Sequence, residues 1–281
     1  MSSTISQATA SPLVAACLAG DLLTMSPLLL EFKDSHPRSE QNETIFLLLA
    51  EATKNKHITL VGYLLNQTEN TDYSRDLIFQ AMCAGPDMVM LYLVKNPDIW
   101  KFEWLGSGNL LASALRQNQV ELLTYLLEIV GADPGRSMES PRMAQIFFPL
   151  EWIAYSSTED NARLLIKYGA MVKGTYALQM AAGSNRSKIG MVRLLMEAGA
   201  DINSMPDFDD MFLGYGYNYI ETALHCAAKT GTEEVVALLM EYGADSTKLD
   251  GRGYTAIELA EIHGRFELAD LIRSYKTNAS C

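Results

Sequence analysis

Two stretches near the C-terminus repeat one order of apolar and polar positions. In the first, Thr222 precedes the small, apolar run Ala223-Leu224-His225-Cys226-Ala227-Ala228, followed by Gly231, Val235-Val236, Leu238-Leu239 and Gly243-Ala244-Asp245. Thirty-three residues after Thr222, Thr255 opens Ala256-Ile257-Glu258-Leu259-Ala260, with Gly264 and Leu271-Ile272 at matching offsets. Apolar positions three and four apart are those of a helix with one buried face. Each stretch therefore predicts a helix–turn–helix: a first helix of small residues, a second with a Val/Leu stripe, and a glycine suited to a left-handed cap.

Weaker copies run back along the chain. Tyr176-Ala177-Leu178 leads to Leu194-Leu195 and Gly199-Ala200-Asp201, Phe148-Pro149-Leu150 to Leu164-Leu165 and Gly169-Ala170, and Asn109-Leu110-Leu111 to Leu126-Leu127 and Gly131-Ala132-Asp133. Looser versions begin near 11, 47 and 76, making eight units with starts near 11, 47, 76, 109, 148, 176, 222 and 255. The pattern resembles the ankyrin repeat, whose signature is a T-P-L-H-x-A-A helix start, a Gly, a V-V-x-L-L-L helix and a G-A-D exit. Asp250-Gly251-Arg252-Gly253-Tyr254-Thr255 matches the D-x-x-G-x-T finger between units. The resemblance covers nearly the whole chain, is strongest in the last two units, and is weakest in the first three. It implies an all-α solenoid forming a single domain over residues 1–281, in which each unit buries its stripe against its neighbours.

Composition narrows the function classes. With 22 Lys+Arg against 34 Asp+Glu, the net charge is −12, which disfavours nucleic acid and anionic membranes as partners. The four cysteines lie far apart with no CxxC pair, so neither a disulfide framework nor a zinc site is expected, and a cytoplasmic or nuclear setting fits. Leu13-Val14-Ala15-Ala16-Cys17 looks like the end of a lipoprotein signal, but no Lys or Arg precedes Lys33 and the apolar stretch is short; a soluble protein is expected. No Walker loop, dinucleotide fingerprint, G-x-S-x-G elbow or HExxH spacing occurs, and neither cofactor nor metal is expected. In the resembled family the histidine at the position of His225 is structural, bonding backbone at the turn, and His57 takes the same reading.

Departures from the period point to a site. From exit glycine to next unit, Gly243 to Thr255 spans 12 residues, Gly131 to Phe148 spans 17, Gly199 to Thr222 spans 23 and Gly169 to Tyr176 only 7. In ankyrin proteins the fingers and first helices line the concave face, so a short finger between two long ones implies a notch there at units 5 to 7. The long finger, 204–221, contains Asp207, Asp209, Asp210 and Phe212, and Tyr215, Tyr217 and Tyr219 alternate so that an extended chain points all three to one side. Between Arg193 and Lys229 there are six acidic residues and no Lys or Arg. The opposite finger carries Arg136, Arg142 and Phe147. Family-variable positions on the first helices would supply Arg116, Trp152, Tyr155, Tyr176, Met180 and Lys229.

The leading expectation is a non-enzymatic, monomeric recognition module. Its partner would be a protein or peptide with a basic and apolar surface, because opposite potentials steer docking. The alternative is a cofactor-free isomerase or cyclase, or a small-molecule binding protein, taking a hydrophobic molecule in the same notch. There Asp209 or Asp210 would act as general base, Tyr217 or Tyr155 as donor to a developing oxyanion, and Lys229 as electrostatic support.

Overall fold

The computed structural model of the chain describes residues 12–69, 71–101, 109–135, 138–140, 145–147, 149–156, 158–184, 186, 188–205 and 220–278. Helices come in pairs. The first four are α1 (Pro12–Ala19), α2 (Leu22–Ser35), α3 (Arg38–Lys54) and α4 (Ile58–Leu65). Then come α5 (Arg75–Ala84), α6 (Pro86–Lys95) and a 3-10 turn, Pro97–Lys101. They belong to one compact lobe, 1–102.

The second lobe, 103–281, holds five more pairs. These are α7 (Leu110–Arg116) with α8 (Val120–Glu128), α9 (Pro149–Ser156) with α10 (Glu159–Lys167), and α11 (Ala177–Ala182) with α12 (Ile189–Glu197). Last are α13 (Ala223–Thr230) with α14 (Glu233–Glu241) and α15 (Ala256–Ile262) with α16 (Phe266–Asn278). Within each lobe the odd-numbered helices pack in one row, and most even-numbered ones in a second. The core lies between the rows: Leu178, Ala181 and Ala182 of α11 are buried with Val192 and Leu195 of α12.

Local chemistry sets the ends of these helices. Thr222 and Thr255 cap α13 and α15 in reciprocal boxes, each side chain accepting a backbone N–H while its own N–H is bonded by His225 or Glu258. Gly199 and Gly243 follow α12 and α14 at φ +92° and +85°. That conformation lets Ala200 N–H reach Leu195 O at 2.9 Å and Ala244 N–H reach Leu239 O at 3.0 Å, closing the last turn.

Two features depart from the sequence reading. The first helix of the second pair begins at Arg38 rather than near Leu47, because nothing from Arg38 to Lys54 breaks a helix. The polar run ahead of Ile45 simply carries no apolar phase to mark it. The finger between α8 and α9 contains a short antiparallel hairpin, β1 (Met138–Ser140) with β2 (Gln145–Phe147), pairing Glu139 with Ile146.

Candidate recognition site on the first helices

The first helices of the second lobe share a register. Residues 109, 148, 176, 222 and 255 each immediately precede a helix, and the residue seven places later is Arg116, Tyr155, Gly183, Lys229 and Ile262. Each stands at or beside its helix's last residue. Four of the five present a long side chain there, and Gly183 presents none. A pocket of about 300 Å³, open to solvent, lies around this gap. Its buried side is formed by Gln179, Glu221 and Cys226, with the half-buried Tyr176 and Met180 above them. Exposed Tyr155, Thr230 and His263 stand at the mouth with Lys229.

Below the pocket a second register ties fingers to helices. Three places after the starts at 148, 176 and 222 are Glu151, Gln179 and His225, all buried. His225 Nε2 donates to Lys248 O and Tyr254 O, both at 3.1 Å, while its Nδ1 accepts the Thr222 N–H at 3.2 Å. The neutral ring is therefore fully used, and burial holds its pKa below 6.5. Gln179 Nε2 does the same work one pair earlier, donating to Ser204 O at 3.1 Å and, at a longer 3.5 Å, to Glu221 O. These two carbonyls are the described ends of the long finger, so one amide holds both. Glu151 is an acceptor instead, and it takes the Tyr176 N–H at 2.9 Å.

A charge cluster closes the deep side. Glu221 has only 2% of its side chain exposed; its carboxylate lies 2.6 Å from Lys229 Nζ and 3.3 Å from the Arg252 guanidinium, which also binds Asp250 at 3.0 Å. Two acids meet two bases, and the cluster is neutral. Cys226 Sγ lies 3.4 Å from Glu221 and 3.7 Å from the Tyr176 hydroxyl. Burial first, and the Glu221 charge second, push its thiol up to about 12, so at neutral pH it is a protonated thiol and not a thiolate nucleophile. Among the described residues no cluster of three His, Cys, Asp or Glu could hold a metal, and no helix is long and apolar enough to cross a membrane.

Comparison with known proteins agrees with this register. The family described as "Ankyrin repeats (3 copies)" matches residues 210–281, and "Ankyrin repeat" matches 173–206. The C-terminal part of the chain, residues 173–206 and 210–281, carries ankyrin repeats. Over 55 residues it is 46% identical to potassium channel AKT1 of Oryza sativa subsp. indica, 20% of this chain and 6% of that protein. Over 98 residues it is 33% identical to glycerophosphocholine phosphodiesterase gde1 of Schizosaccharomyces pombe, 35% of this chain and 8% of that one. A longer match, 23% identical over 243 residues, is to the putative palmitoyltransferase ZDHHC13 of Danio rerio, 84% of this chain and 35% of that protein. The chain thus spans far less than two thirds of the length of these relatives, whose names describe three different activities.

Of the site residues expected from the ankyrin pattern, Tyr155, Tyr176, Met180 and Lys229 line this pocket. Arg116 and Trp152 do not line it; the Arg116 guanidinium donates to Ser113 Oγ at 3.1 Å and Trp152 is half-buried on α9. Asp207, Asp209, Asp210, Phe212, Tyr215, Tyr217 and Tyr219 lie outside the described residues, as do the side chains of Arg136, Arg142 and Phe147. Lys229 is ion-paired with Glu221 within the chain, and Glu221, counted among the acidic residues of the finger, is buried and neutralised. Its charge does not reach a partner. Gln179 was missed by the sequence reading, although its offset from the start of its repeat equals that of His225.

Proposed function

We propose that the chain is a recognition module that binds a partner protein or peptide on the surface formed by the first helices and fingers of its fifth to seventh repeats. Ankyrin repeats are generally protein-interaction modules. The observation that carries the choice of surface is the gap at Gly183, where a row of long side chains is interrupted by a pocket with aromatic walls. Aromatic and methionine side chains around a concave anchor point are the usual composition of an interface centre.

The remaining acids of the stretch between Arg193 and Lys229 set the partner's character. With Glu221 neutralised, Glu197, Asp201, Asp207, Asp209 and Asp210 remain, with no Lys or Arg in that interval. They favour a peptide carrying Lys or Arg beside apolar residues.

Selection of random displayed peptides against the immobilised full chain tests the reading. Enriched peptides should be basic and apolar, and their binding should fall at least tenfold with Tyr155→Ala and Met180→Ala. Peptides of no consistent character, or binding untouched by both substitutions, would remove this surface from the account.

A further inference from the structure

We infer that the Gly183 pocket is an anchor site for one neutral, hydrogen-bond-donating aromatic side chain, a tryptophan or tyrosine, of the partner peptide; this rests on the recognition reading above and specifies its chemistry. The pocket exists because one repeat in the row lacks a side chain where its neighbours place Tyr155 and Lys229. A single inserted side chain restores the continuity of that row.

The lining selects what is inserted. Tyr155 and Tyr176 offer ring faces and edges, and Met180 and Cys226 offer sulfur, which packs favourably against aromatic rings. A cationic side chain is opposed by Lys229, which lines the pocket with Arg252 just behind it on the same carboxylate. An anionic one finds the Lys229 charge already taken by Glu221. A neutral group is left. Gln179, which lines the pocket, adds the demand for a donor: its amide nitrogen is committed to the finger, while its Oε1 is buried and has no hydrogen-bond partner among the described residues. An unpaired buried acceptor is costly, and an indole N–H or phenol O–H brought to it relieves that cost. An aliphatic or phenylalanine side chain fills the space and leaves the oxygen unpaired.

The test uses the full chain, ¹⁵N-labelled, titrated with N-acetyl-L-tryptophanamide, N-acetyl-L-tyrosinamide, N-acetyl-L-phenylalaninamide and N-acetyl-L-leucinamide. The first two should shift the backbone amides of Gly183, Ser184 and Lys229, binding at least threefold more tightly than the phenylalanine probe and tenfold more tightly than the leucine probe. Gly183→Leu and, from the opposite wall, Met180→Trp should each abolish the shifts; two filling variants guard against one that misfolds, with the thermal midpoint as control. Equal affinity for all four probes, or shifts confined to other repeats, overturns the inference. If selected peptides bind this surface while no aromatic probe does, the recognition reading stands and the anchor is lost. If the probes bind but no peptide does, the pocket is a small-molecule site and the peptide anchor is equally overturned.

Discussion

Gln179 holds in its repeat the place that His225 holds in the next, and each side chain donates to two backbone carbonyls of the finger that follows. The equivalence explains how a long insertion is tolerated between α11 and α13. Its described ends, Ser204 and Glu221, are held by one amide whatever lies between them. Gln179→Leu keeps most of the volume and removes the donor. It should cost on the order of 2 kcal/mol in urea denaturation, and speed amide exchange around Ser204 and Ile220, because buried carbonyls lose their partner. Unchanged exchange there would separate Gln179 from the finger.

The neutral cluster behind the pocket is the most exposed to single changes. Glu221→Gln leaves Lys229 and Arg252 without their shared carboxylate. Breaking a buried pair on one side costs on the order of 3 kcal/mol, at the low end because the Lys229 side chain keeps 17% exposure. Adding Lys229→Met to Glu221→Gln should restore part of that stability, measured by the same denaturation. A double variant less stable than either single one contradicts the pairing.

His225 gives the fold a pH dependence of definite sign. Burial keeps its folded pKa below the ordinary 6.5. Above 6.5 both states hold a neutral ring, and the full stability is present. As the pH falls through 6.5 the unfolded chain takes up a proton that the folded ring resists, so stability is lost down to the folded pKa. The thermal midpoint should fall between pH 7 and pH 5, and fall less in His225→Gln, where a non-titrating donor takes its place.

The thiols should divide by burial. Cys17 and Cys226 are buried, with pKa values pushed up to about 11 and about 12, whereas Cys83 is exposed. In a Cys281→Ser background, a thiol reagent at pH 8 should label Cys83 promptly and the other two only after denaturation. Fast labelling of Cys226 would mean that the pocket's deep side is more open than its packing indicates.

Gly231 tests the closeness of neighbouring repeats. A Cβ there would lie 2.5 Å from the carbonyl oxygen of Ala182 and 2.8 Å from Ala227 Cα, both backbone atoms that cannot swing aside. Gly231→Ala should therefore destabilise by about 1–3 kcal/mol, as overpacking does, read as a lowered thermal midpoint.

Much of this was legible in the residues themselves. Small positions such as Ala227 and Ala228, the Val235-Val236 and Leu238-Leu239 stripe, and the glycines after the second helices fix the register, since each has a backbone or packing role that few other residues fill. His225 was legible because its residue type and its offset agree. Gln179 was not, because a backbone tie accepts any side chain with the right donors, and only its offset marks it. Glu221 read as surface acid because it adjoins an acidic finger. Its burial depends on Lys229 eight residues later and Arg252 thirty-one later, a relationship that local pattern does not carry. The start of α3 was misplaced for the opposite reason: a long polar helix entrance has no apolar rhythm.

Binding of a partner peptide at the surface around Gly183 is read from amide hydrogen exchange of the full chain with and without the tightest selected peptide. Protection is expected in residues 176–184 and 220–230, with the first lobe unchanged. Protection confined to residues 38–95, or absent from both segments around the pocket, would contradict it.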